Sequence, residues 1–221
     1  MTYRIGLSTT EVSEQELLNS GLQYSIVIPR EHLVESVKKV VGRPYKRGAS
    51  VLKDTPESFD CSCLASWAAV EAGFSIPRVT IDQYVFAKKI TKEELLPGDL
   101  IFVNTKHIVH TEGTYFSQVL GKIVKEEPVR YETLEYMPGT KVPEGIDHVG
   151  IFIGEGKVIH ATSSKGGVVE EMVNASSSFT EQLHYGRIVD DESPRFVVEI
   201  PNDRPELRSR EKLLEEVKKQ K

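Results

Sequence analysis

The sequence is short of the features that announce most functional classes. It has two cysteines, Cys61 and Cys63, in 221 residues, too few for a disulfide framework. They stand two residues apart, and on a helix their side chains diverge by about 200°, which does not suit a mutual bridge. Cysteine usage therefore gives no support for an oxidising compartment. No apolar run approaches the ~18 residues of a membrane-spanning helix. Basic charge is not in excess: 28 Lys and Arg stand against 33 Asp and Glu, a formal net charge of −5. That balance argues against a general nucleic-acid binder. The opening residues, MTYRIGLSTTEVSEQELL, have neither the basic start nor the apolar stretch of a secretory leader. The expectation is a cytoplasmic protein, with export by a non-standard route as the alternative.

What is present is a folding sequence, 39% apolar and 28% charged, with apolar runs along most of its length. Residues 1–28 read as an N-terminal extension, with strand-like YRIGL and YSIVIP around a helix-prone acidic segment. Pro29 opens a helix with Leu33, Val34, Val37, Val40 and Val41 at helical spacing and Gly42 as its stop. After a turn-rich stretch, Asp60 is placed to cap the small-residue helix CSCLASWAAVEAG. From Leu96 onward the pattern is of strands: LPGDLIFV, DHVGIFIG, KVIHATS, GVVEEMV, YGRIV and RFVVEIP. Helices first and strands second predict an α+β fold with an antiparallel sheet. Residues 104–146 form a long polar excursion expected to be a lid, a small subdomain or disordered. Residues 202–221 are a charged tail, read as a solvated terminal helix, with a docking helix for a partner as the alternative.

Cys61 is the first candidate for chemistry. In the first turn of a helix, unpaired N–H groups and the helix dipole favour a thiolate, which predicts a lowered pKa. Cys63 faces another side and has no comparable argument. A thiol nucleophile needs a base and an orienting partner. His148 begins one strand and His160 ends the next, and the GEG turn between them makes a hairpin centred near residue 155. That brings the two imidazoles within a residue or two of each other. Cys61, His148 and His160 are also three ligands that zinc could use, although no local ligand pair supports it. His107 and His110, spaced H-x2-H in the excursion, read as ordinary polar residues, and His32 and His184 have no evident companions.

These segments together resemble the NlpC-type cysteine peptidases, papain-like endopeptidases of bacterial cell-wall peptides. The resemblance is carried by GRPYKRGAS, FDCSCLASWAAVEAGFSIPR, LPGDLIF and DHVGIFIGEGKVIHA, in that order, over roughly residues 31–190. It implies a papain-like core whose helical layer carries the nucleophile and whose sheet carries the histidines. It implies Cys61 as nucleophile, His148 as general base and His160 as the polar residue that orients the base. It also implies that Tyr45, Asp60 and Ser62 help to hold the free amino terminus of a stem peptide cut after γ-D-glutamate, with no cofactor and no metal. On this reading the catalytic domain runs over 29–201. A related papain-like amidase or acyltransferase, or a non-catalytic binding module, are the alternatives. The sequence departs from the family pattern at Cys63, where glycine is usual, at Gly48-Ala49, where a glycine pair is usual, and in the length of the excursion.

Overall fold

The computed structural model describes residues 3–105, 114–117, 122–125, 133–143, 145–173, 178–180 and 182–219. Its elements in chain order are β1 (Tyr3–Ser8), α1 (Glu14–Ser20), β2 (Tyr24–Val27), α2 (Pro29–Lys39), α3 (Cys61–Glu71), α4 (Thr80–Phe86), β3 (Lys88–Ile90) and β4 (Leu100–Val103). The excursion holds two hairpins, β5 (Thr114–Ser117) with β6 (Lys122–Lys125) and β7 (Thr133–Met137) with β8 (Thr140–Pro143). There follow β9 (His148–Gly154), β10 (Lys157–Thr162), β11 (Gly167–Met172), β12 (His184–Arg187), β13 (Arg195–Ile200), a 3-10 turn (Pro205–Arg208) and α5 (Arg210–Lys218).

The main sheet has the order β11-β10-β9-β4-β12-β3, antiparallel throughout. The helix α3 packs across β9 and β10. Its residues 62–69 are all buried, and a helix that is apolar all round belongs inside a fold. Ala65, Ala68 and Ala72 let it approach the sheet closely, while Phe59 and Trp67 fill the space beside it with ring centroids 5.2 Å apart. Leu33 and Val37 of α2 close the other side of the same core. The expected α+β arrangement is the one found.

Asp99, in the turn that feeds β4, is fully buried between two arginines. It accepts from Arg30 Nη1 at 3.0 Å, from Arg187 Nε at 3.1 Å and Nη2 at 2.8 Å, and from the Leu96 N–H at 2.8 Å. Arg30 also donates to the carbonyls of Pro97 and Val189. One carboxylate thus joins α2, the Pro-Gly turn and β12.

The ends of the chain form a second layer. β1, β13 and β2 make a three-stranded antiparallel sheet, covered by α1, the 3-10 turn and α5. The tail is not a solvated helix. Leu207, Leu213 and Val217 are buried with Leu7, Leu17, Phe196 and Val198 in one apolar cluster. Only a narrow apolar stripe, Leu213 and Val217 at i and i+4, marks α5 as a packed helix, and the surrounding charges mask it. This layer is fixed to the C-terminal end of α3. Arg4 bridges Glu71 and Glu199. Gly6 lies so close to Gly73 that a Cβ on Gly6 would fall 1.6 Å from the Gly73 carbonyl oxygen, so no larger residue fits there.

Candidate active site

Cys61 opens α3. The N-cap is Asp60, in extended backbone at ψ 177°, and its Oδ1 accepts the Cys63 N–H at 2.8 Å. This is the capping that the sequence predicts, and it aims the first turn of α3 at β9. The Cys61 Sγ lies 3.8 Å from Thr80 Oγ1, at the start of α4, and 4.0 Å from the Asp147 carbonyl oxygen. The N–H groups of Ser62 and Val149 also interact with it. The sulfur therefore meets backbone on both sides of His148.

Burial is the largest influence on the Cys61 thiol and pushes its pKa up, and the nearby Asp60 carboxylate adds to this. Thr80 and the two N–H groups act the other way without overcoming it. The lowered pKa expected from the helix start alone is thus not what the structure gives, because burial outweighs the Thr80 hydroxyl and the two backbone N–H groups. Cys63 is fully buried in the core, and burial pushes its thiol up to about 12. It lies apart from the cleft.

The β9–β10 hairpin brings the histidines together. Its register pairs Val158 with Phe152 and Ile159 with Ile151. Continued one step, His160 stands opposite Gly150, on the same face as His148 two residues away. His148 Nε2 is 2.7 Å from His160 Nδ1, with the rings nearly perpendicular at 82°. Phe179 covers both rings, with centroids 5.6 Å and 5.0 Å away. A Cβ on Gly150 would come within 2.6 Å of the Phe179 ring, so glycine makes room for this cover. The far nitrogen of His160, Nε2, is 3.1 Å from Glu171 Oε2. Since the two imidazoles bond each other, their nitrogens do not converge on a common point as zinc ligands would. Among the described residues no group of three or more His, Cys, Asp or Glu is placed to hold a metal.

Tyr45 packs beside Cys61 at the edge of the core. Burial raises the pKa of its phenol, with Cys61 and Asp60 adding to the effect. Asp60 and Ser62 are engaged by a residue that the sequence reading passed over. Arg78 Nη2 reaches Asp60 Oδ2 at 2.5 Å, and Arg78 Nη1 donates to Ser62 Oγ at 2.8 Å. Asp60 Oδ2 also accepts the Ala49 N–H at 3.0 Å. The Asp60 carboxylate is thus occupied by its helix, by the Gly48-Ala49 turn and by a guanidinium.

The excursion leaves and rejoins the sheet at one place. Asp147 accepts from the Thr105 N–H at 2.8 Å and from its hydroxyl at 2.7 Å. Val142 of β8 is buried, and β8 packs against α4, whose first residue touches the nucleophile candidate. The second hairpin therefore borders the cleft. His107 and His110 lie outside the described residues. His184 meets Tyr84 edge to face with centroids 6.0 Å apart, and burial lowers its pKa. Burial likewise lowers the pKa of His32, which lies on α2.

The NlpC/P60 family model matches residues 42–134. The match begins just before Tyr45 and contains Cys61, Arg78 and Asp99. A bifunctional muramidase/DL-endopeptidase, CwlT, from Bacillus subtilis is 29% identical over 135 residues, 61% of this chain and 30% of that protein. Over residues 42–134 the chain is thus similar to the NlpC/P60 family. Another relative, a probable endopeptidase of Corynebacterium glutamicum, is 30% identical over 108 residues, covering 48% of this chain and 49% of the relative. A gamma-DL-glutamyl hydrolase of B. subtilis is 25% identical over 146 residues, covering 66% of this chain and 27% of the relative. The chain spans 30% of the length of CwlT and 22% of a probable endopeptidase p60 from Listeria seeligeri. Among solved structures, NlpC2 from Trichomonas vaginalis superposes with a TM-score of 0.50 at 21% identity, over 73% of this chain and 46% of that one. The mixed helix and antiparallel sheet seen here is the papain-like fold of NlpC/P60 structures. The fold implied by the four motifs is the one found, and the family model matches the part of the chain that carries the first three of them.

Proposed function

We propose that this chain is an NlpC/P60 cysteine endopeptidase that cuts bacterial cell-wall stem peptides after γ-D-glutamate. The observation that carries the reading is the placement of the Cys61 sulfur against the backbone on either side of His148, with His148 hydrogen-bonded to His160 at 2.7 Å. At rest the thiol keeps its proton, in keeping with its raised pKa. As Cys61 Sγ attacks the scissile carbonyl, His148 takes that proton, and an S–C bond forms. His148 then gives the proton to the departing amine as the amide C–N bond breaks, leaving a thioester. Water, deprotonated by His148, hydrolyses the thioester and frees the thiol. The Cys61 N–H, at an open helix start, and the Tyr45 hydroxyl are the donors for the oxyanion. The names of the relatives, a DL-endopeptidase and a gamma-DL-glutamyl hydrolase, support the choice of bond.

The recognition of a free amino terminus by Asp60 is the part of the sequence reading that the geometry supports least. The carboxylate already has a cap, an Ala49 N–H and the Arg78 guanidinium on it, and a substrate ammonium there would have to lie against Arg78. In this account Tyr45, Asp60 and Ser62 form the wall beside the nucleophile, and Asp60 and Ser62 act by holding Arg78 and the turn in place. The β7–β8 hairpin contributes the opposite wall and sets substrate range.

The comparison that tests this is kcat/KM for a free and an N-acetylated L-Ala-γ-D-Glu-diamino-acid peptide. The expected ratio is within about threefold, since no buried ion pair is lost on acetylation. A drop of roughly 30- to 1000-fold on acetylation, equivalent to about 2–4 kcal/mol, would place the substrate ammonium on Asp60 after all.

A further inference from the structure

We propose that Glu171 is a positioning residue for the reaction, which acts through His160 to fix the nitrogen of His148 that carries a proton. The proposal rests on the reading of Cys61 as nucleophile and His148 as base. It goes beyond that reading by adding a fourth member to the relay.

Glu171 Oε2 is 3.1 Å from His160 Nε2. An ionised carboxylate can only accept, so the proton of this bond sits on His160 Nε2. Neutral His160 then has its lone pair on Nδ1, and Nδ1 is the atom 2.7 Å from His148 Nε2. That nitrogen of His148 must therefore be the donor, which leaves the lone pair of His148 on Nδ1. Each imidazole is locked into its Nε2–H tautomer by the carboxylate at the end of the chain. Without the carboxylate, His160 can place its proton on Nδ1 and donate to His148 Nε2. The lone pair of His148 is then spent inside the relay instead of being available to the thiol.

The surroundings fit this role. Glu171 is on β11, where His160 pairs with Val169, so the two side chains are diagonal neighbours on one face of the sheet. His160 is fully buried, and burial lowers its pKa more than Glu171 raises it, so the ring stays neutral and has a tautomer to choose. Burial works to raise the Glu171 carboxyl. Lys165, the Ser178 N–H and His160 outweigh it and hold the pKa below the ordinary value, so the group remains an acceptor. The Ser178 N–H donates to the same Oε2 at 3.2 Å, and Lys165 Nζ pairs with Oε1, so the carboxylate is fixed in orientation. Phe179, next to Ser178, lies over both imidazoles.

The test uses the full chain labelled with 15N-histidine. In the wild type, NMR should find His160 neutral with its proton on Nε2. Glu171→Gln keeps an acceptor oxygen and should keep that tautomer, with kcat within about tenfold of wild type. Glu171→Met removes the acceptor. It should shift His160 toward the Nδ1–H form and lower kcat by about 100-fold at unchanged KM. Should Glu171→Met disturb folding, the wild-type and Glu171→Gln spectra still decide the matter, because an Nδ1–H His160 in either overturns the proposal. A folded Glu171→Met with the wild-type tautomer and kcat overturns it as well. Cys61→Ala and His148→Ala, measured alongside, separate the two levels. If they are inactive while Glu171→Met matches wild type, the relay fails and the nucleophile and base stand. If they remain active, the nucleophile and base fail and the relay goes with them.

Discussion

Cys61→Ala is expected to abolish peptide hydrolysis, whereas Cys63→Ala should keep most of it. The two thiols are two residues apart in the sequence, yet the fold gives them opposite surroundings. Cys61 Sγ lies at the cleft, within 4.0 Å of Thr80 Oγ1 and the Asp147 carbonyl. Cys63 has no exposed surface and packs among Leu64, Phe59 and the small residues of α3. Removing the proposed nucleophile would remove the covalent route altogether, and the loss should reach at least about 10⁴-fold in kcat. Replacing Cys63 by alanine deletes one buried sulfur and should cost about 1 kcal/mol of stability with little change in rate. Steady-state rates with one stem-peptide substrate decide the point. An active Cys61→Ala and an inactive Cys63→Ala would reverse the assignment.

The largest effect on stability is expected at Asp99. Its carboxylate has no solvent exposure and accepts from two guanidiniums, Arg30 and Arg187, and from the Leu96 N–H. Asp99→Ala removes the carboxylate that Arg187 pairs with and leaves Arg30, itself 9% exposed, with only the exposed Glu192 on its Nε. Breaking one side of a buried ion pair costs about 3–5 kcal/mol. In a chain of 221 residues that is a fall in Tm of about 6–20 °C. Reversible thermal or denaturant unfolding measures it. A loss below about 1 kcal/mol would mean that the arginines find other partners and that this cluster is not the joint between α2 and the sheet.

How much of this was legible in the sequence depends on how local each signal is. Asp60 before a small-residue helix is a local pattern, and the cap forms as read. The hairpin of β9 and β10 is also local: two apolar runs and a GEG turn set the register, and the register brings His148 to His160. Arg78 and Glu171 were not found because they reach the site through folding alone. Arg78 sits in a loop after α3 and meets Asp60 only once that loop turns back. Glu171 did leave a trace. Two adjacent glutamates on a strand must point to opposite faces. In the structure Glu170 pairs with Lys157 at the surface, while Glu171 turns inward to His160. The tail misled for a related reason: its charge is plain in the sequence, while the two residues that bury it, Leu213 and Val217, are few. The thiol pKa was misjudged because a helix start is visible in sequence and the burial of its first side chain is not.

The proposed function is hydrolysis of a cell-wall stem peptide at the bond following γ-D-glutamate through Cys61. The most direct measurement is mass spectrometry of the products after incubating the full chain, beside its Cys61→Ala variant, with purified muropeptides and with free L-Ala-γ-D-Glu-diamino-acid peptides. The account requires fragments ending in γ-D-glutamate from the wild type and none from the variant. Intact peptides in both reactions, or the same fragments from both, would contradict it.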